Sequence, residues 1–187
     1  MRVYIEKFTS VTYGTAHPIM SANLEASLKS FREPAEEFCR IVEAASEGAP
    51  LEFLMRLRPI LPQLHLAALR LPRVDVDEWE GDPEIPHRSD KDWGLLYERL
   101  KKVLGQYDLY WTVFDARKYN EEAMHGSLAD DLADIYYELT SPIKAASCGI
   151  PVGCVLWELR FSFYSHWGAH LVSAAKAMHD YLGEGEE

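Results

Sequence analysis

From Ser21 onward the apolar residues Leu24, Leu28, Phe31, Ala35, Phe38, Val42 and Ala45 recur at steps of three and four. That spacing lays one stripe along a helix, and Gly48-Ala49-Pro50 ends the run. Pro34 falls inside the pattern; it has no backbone N–H and crowds the turn before it, so a kink or a fresh start is expected near Arg32 to Pro34. A second stripe, Leu54, Leu57, Leu61, Leu64, Ala68 and Leu71, covers Leu51 to about Leu71, and Pro59 with Pro62 divides it into two short helices. The first twenty residues alternate only weakly, through Val3, Ile5, Phe8, Val11 and Tyr13, and predict a short irregular or extended N-terminal arm.

Residues 74–91 are rich in Asp, Glu, Gly and Pro and read as an acidic surface loop within one domain, because the flanking helices are too few for separate cores. Asp90 or Asp92 then caps a helix carrying Leu95, Leu96, Leu100, Val103 and Leu104, closed by Gly105. Tyr107, Tyr110, Trp111 and Phe114 follow, read as a docking edge of the core rather than an exposed patch. Ser127 opens a strong helix with Leu128, Leu132, Ile135, Tyr136 and Leu139 on one face, stopped by Ser141-Pro142. A long helix from Val155 to about Leu182 completes the chain, with residues 183–187 an acidic, disordered tail. The fold class is all-α, a single-domain helical bundle over 1–187.

Polar residues on the last two helices change this picture from scaffold to site. At about 100° per residue, Asp131 lies at the margin of the apolar stripe with Glu138 in nearly the same direction and Asp134 next outward, while Asp130 points to solvent. On the final helix Arg160 lies within the stripe of Leu156, Phe163, Trp167, Ala174, Met178 and Tyr181, with His170 close to it and His166 one turn earlier. A buried Arg needs a carboxylate, so the simplest arrangement pairs Arg160 with Asp131 or Asp134 across a helix interface, His166 or His170 adding hydrogen bonds. The same positions also form a possible divalent-metal set, with Asp131, Asp134, His166 and His170 supplying the nitrogen and oxygen donors that suit Zn, Fe or Mn. No Glu stands second in His166-x-x-x-His170, so the zinc-protease motif is absent.

A third reading starts from Asp130-Asp131-x-x-Asp134, which is similar to the acidic helix of all-α nucleotide pyrophosphohydrolases. That resemblance implies Mg²⁺ held on a triphosphate, with Glu36, Glu37 and Glu43 as the second acidic helix. Phosphate-loop, dinucleotide, nucleophile-elbow and C-x-x-C motifs are absent.

Composition narrows the partners. The chain has 187 residues, 48% hydrophobic, with 19 Lys plus Arg against 30 Asp plus Glu, a formal charge of −11 that argues against nucleic acid and anionic membrane surfaces. The N-terminus lacks the apolar core of a secretion signal, and no apolar run is long enough to span a bilayer. Cys39, Cys148 and Cys154 read as reduced thiols of a cytoplasmic protein.

PQLHLAALRLP (62–72), LGQYDLYWTVFDA (104–116), SLADDLADIYYEL (127–139) and WELRFSFYSHWGAHLVSAAKAMH (157–179) together resemble a bacterial family, domain of unknown function five thousand and sixty-three. The resemblance implies a mainly helical cytoplasmic protein with no established activity. It places Asp130, Asp131, Asp134, Trp157, Arg160, Phe161, His166, Trp167, Gly168 and His170 in the family pattern without giving any a role. Two functions follow as expectations. The first is a non-enzymatic interaction or regulatory module, with no cofactor, that meets a protein partner or a second copy of itself. The alternative is a metal-dependent hydrolase.

Overall fold

The computed structural model describes residues 18–75, 85, 89–113, 117–120 and 122–183, with side chains from Asn23 onward. The expected N-terminal arm, most of the acidic 74–91 loop and the tail after Gly183 lie outside these residues. Among the described residues seven α-helices run in chain order: α1 (Pro18–Glu43), α2 (Pro50–Leu57), α3 (Ile60–Leu69), α4 (Asp90–Leu104), α5 (Leu128–Ser147), α6 (Val152–Ser162) and α7 (Gly168–Gly183). Between α4 and α5 a two-stranded antiparallel ribbon, β1 (Leu109–Val113) and β2 (Ala123–Ser127), breaks the helical pattern.

The apolar stripes account for the helices. Phe31, Ala35, Phe38 and Val42 on α1, Leu54 and Leu57 on α2, and Leu61, Leu64 and Ala68 on α3 are all essentially without exposure. α1 continues through Pro34 as one helix, and α5 likewise continues through Pro142 to Ser147. The fresh start expected near Pro34 and the stop expected at Ser141-Pro142 are both corrected. A proline inside a helix costs roughly 3 kcal/mol, and burial of the apolar groups on either side outweighs one lost backbone bond. The division of 51–71 does fall at Pro59, with Pro62 in the first turn of α3. Ser89, rather than Asp90 or Asp92, caps α4: its Oγ accepts the Asp92 N–H at 3.1 Å and contacts Asp92 Oδ2 at 2.6 Å.

α5 is the central helix, packed against α1, α4, α6 and α7. Leu128, Leu132, Ile135 and Leu139 have no exposed surface. Trp167 is also fully buried; its ring meets Phe31 and Phe163 edge-on at 6.4 and 4.8 Å, and its N–H reaches Ser162 Oγ at 3.1 Å. Arg99 ties α4 to the end of α1 by donating to the carbonyls of Val42, Glu43 and Ala45 at 3.1 to 3.2 Å. No helix among the described residues is long and apolar enough to cross a membrane.

The helical run from Val152 to Gly183 is not one α-helix. Residues Phe163–Trp167 form a π-turn, in which the Gly168 N–H reaches back five residues to the Phe163 carbonyl. A Cβ at Gly168 would lie 2.4 Å from that carbonyl oxygen, so glycine is what allows the wide turn to close.

Candidate metal centre

The start of α5 is fixed before its acids are placed. Ser127 Oγ accepts the Asp130 N–H at 3.2 Å, while buried Asp108 accepts from Ser127 Oγ at 2.8 Å and from the Ala129 N–H at 2.9 Å. Two helix N-terminal donors are thereby satisfied, and the ribbon is locked onto the helix. Asp131 then stands in the first turn, at the end of the dipole that favours negative charge, and Asp134 follows one turn further on. Across from them, the π-turn supplies His166 and α7 supplies His170.

These side chains converge. Asp134 Oδ2 lies 3.7 Å from His166 Nε2 and 3.5 Å from His170 Nε2, and the candidate ligand atoms of this trio are all within 4.8 Å of one another. Two ligands about 2.0–2.2 Å from a shared ion stand roughly 3–3.5 Å apart, so small adjustments bring the trio onto one ion. A second trio, Asp130, Asp131 and His170, meets the same spacing limit.

Each member of the first trio is held by its other polar atom. Asp134 Oδ1 accepts the Trp93 indole N–H at 2.8 Å. His166 Nδ1 is 3.2 Å from Glu138 Oε1. His170 Nδ1 is hydrogen-bonded to Asp131 Oδ1 at 2.8 Å, and Asp131 Oδ2 accepts the Tyr110 hydroxyl at 2.6 Å. A His bonded to an ionised carboxylate through Nδ1 carries a proton there, so when the ring is neutral its Nε2 lone pair faces Asp134. The Asp131 and Asp134 side chains are 6% and 9% exposed, His170 23% and His166 43%, so the cluster opens to solvent on the His166 side.

Burial and charge act in opposite directions here. Burial pushes the Asp131 carboxyl above its usual range and outweighs the hydrogen bonds from His170 and Tyr110 that favour its ionised form. For His170, burial disfavours the charged ring, but the bond to Asp131 and the charges of Asp131, Asp134 and Asp130 win and hold its pKa above the ordinary imidazole value. The Tyr110 hydroxyl is pushed up by burial and by its bond to Asp131, so it stays protonated and acts as a donor.

Of the residues singled out from sequence, the fold brings Asp131, Asp134, Glu138, His166 and His170 together, while Arg160 stands apart. Its guanidinium donates to the Leu71 carbonyl at 2.8 Å and lies over the Tyr164 ring at 4.8 Å, in place of the expected pairing with Asp131 or Asp134. The π-turn is the reason. Ten residues of plain α-helix would put His170 about 80° from Arg160; one extra residue in the turn removes about 100° more and sends the two side chains to nearly opposite sides. The second acidic helix of the nucleotide reading is also engaged elsewhere: Glu36 pairs with Arg32, Glu37 with Arg40, and Glu43 accepts the Tyr136 hydroxyl.

Trp93 and Tyr110 were not foreseen as members of the site. Their contacts span 41 and 21 residues, which no local pattern encodes. The strand itself had a signal: LYWTV is aromatic and β-branched, the composition of an exposed ribbon. Of the aromatic segment, Tyr107 and Tyr110 pack on the core, Trp111 is exposed and lies tilted against the His125 ring, and Phe114 lies outside the described residues.

Fold and site together define a helical bundle with a small ribbon and a partly buried Asp/His cluster between its central helix and the π-turn and α7 that face it. The chain belongs to the family described as a domain of unknown function (DUF5063), whose pattern matches residues 22–183. It is similar in structure to protein BF1032 from Bacteroides fragilis, known from a crystal structure, with 25% sequence identity and a TM-score of 0.69 over 83% of this chain and 91% of that one. No curated protein matches the chain.

Proposed function

We propose that this protein binds one divalent transition-metal ion through Asp134 Oδ2, His166 Nε2 and His170 Nε2, and that the centre is of the open, hydrolytic type. The observation that carries the reading is the outer set of partners: Trp93, Glu138 and Asp131 each occupy the non-converging atom of one ligand. Metal-binding His side chains usually have such a carboxylate partner, which fixes tautomer and ring orientation. Two nitrogens and one oxygen suit Zn, Fe or Mn, and three protein ligands leave room for water or substrate. An ion held this way lowers the pKa of bound water toward about 7. Asp131, a candidate ligand from sequence alone, takes the outer role. Three free thiols accord with a cytoplasmic setting, where they stay reduced.

One observation favours a second reading, a non-enzymatic module with a structural network. His170 lies between two carboxylates, and a doubly protonated ring would satisfy both without an ion. Metal analysis of the purified full chain, with thermal melts in excess Mg²⁺, Mn²⁺ and Zn²⁺, separates the two. The metal reading predicts that Zn²⁺ or Mn²⁺ at a hundredfold excess over Kd raises Tm by about 5–10 °C. If no ion copurifies and none moves Tm, the network reading holds.

A further inference from the structure

In the ribbon, Tyr110 on β1 pairs directly with Gly126 on β2. The Tyr110 ring does not stand clear of the partner strand. A Cβ built at Gly126 would lie 2.5 Å from Tyr110 Cζ, 2.7 Å from its hydroxyl oxygen and 2.8 Å from Cε2. The ring therefore occupies the space where a side chain on β2 would be, and from there its hydroxyl reaches Asp131 Oδ2 at 2.6 Å. Glycine weakens a strand, so its presence opposite an aromatic residue calls for a reason, and close approach is a physical one. The obstructed atoms belong to the far end of a side chain. A methyl group at 126 would displace the ring and break its bond to Asp131 more readily than it would move the backbone.

We infer that Gly126 is a positioning residue of the metal centre, acting through Tyr110 and Asp131 to fix the His170 ring. This rests on the metal reading above. The chain of contacts is continuous: Gly126 against the Tyr110 ring, Tyr110 hydroxyl, Asp131 carboxylate, His170 Nδ1, with His170 Nε2 as the ligand atom. A ribbon residue that meets His170 only through Tyr110 and Asp131 thereby tunes the ion's affinity.

The test measures Zn²⁺ affinity of the full chain by competition with a chelating dye, for wild type, Gly126→Ala, Tyr110→Phe and the double variant. Each single change is expected to weaken binding severalfold, up to about 10-fold, the low end of what loss of a ligand's direct partner costs. The double variant should be no weaker than either single one, and the metal-free Tm of Gly126→Ala should stay close to wild type. Unchanged affinity in Gly126→Ala, losses that multiply in the double variant, or a lowered Tm with unchanged affinity overturns the inference while leaving the centre standing. Should Gly126→Ala fail to fold, unchanged affinity in Tyr110→Phe overturns it equally. A wild type that binds no Zn²⁺ removes the centre, and the inference with it.

Discussion

The two faces of α5 are built from the same helix and do opposite things. One presents Leu128, Leu132, Ile135 and Leu139, all without exposure, to the core. The other holds Asp131 and Asp134 one turn apart, both buried, with Glu138 a turn further on. Burial of the first face drives folding, at about 25 cal/mol per Å² of apolar surface removed from water. Burial of the second opposes it, because two nearby carboxylates lose hydration and repel one another. A protein keeps an arrangement that weakens its own fold where the arrangement has a use, and the use we propose for these converging polar groups is to hold an ion.

This contrast can be broken in order of expected effect. Leu132→Ala should lower unfolding free energy by about 2–5 kcal/mol in urea titration while the folded protein keeps its Zn²⁺ affinity. If affinity falls in parallel, the two faces are not separable. Gly168→Ala should lose about 1–3 kcal/mol, because the clash is with the Phe163 carbonyl, and should weaken Zn²⁺ binding as well, since His166 and His170 flank the turn. Trp93→Phe should weaken Zn²⁺ binding about tenfold or somewhat more by releasing Asp134 Oδ1, read by the same dye competition. Asp134→Asn reverses the sign: metal-free Tm should hold or rise, while the Zn²⁺-induced rise in Tm disappears. Mildest of all, a thiol reagent at pH 8 should label exposed Cys148 first, with Cys39 silent until the protein unfolds. Burial, with Glu43 and Glu36 adding to it, pushes the Cys39 thiol up to about 12.

The first face was legible in the sequence because helical periodicity and burial are two views of one repeat. The convergence of Asp131, Asp134, His166 and His170 was half legible. A helical wheel puts the two acids on one side of α5 and the two imidazoles on one side of the last helix, but it cannot show that the helices face each other there. Arg160 was misplaced because a wheel assumes one angular step, and the π-turn at Phe163–Trp167 changes it. Gly168 between the two His was the visible trace of that turn. Trp93 and Tyr110 remained hidden because each reaches the site from a separate element, and the restart expected at Pro34 and the stop expected at Pro142 were overruled by burial around them.

Diffraction from crystals of the full chain grown with Zn²⁺, recorded across the metal absorption edge, tests the central claim most directly. The account predicts one anomalous peak bound by Asp134 Oδ2, His166 Nε2 and His170 Nε2, with Asp131 still bonded to His170 Nδ1. A site with no peak, or an ion held by Asp130 and Asp131 with the imidazoles turned away, would contradict it.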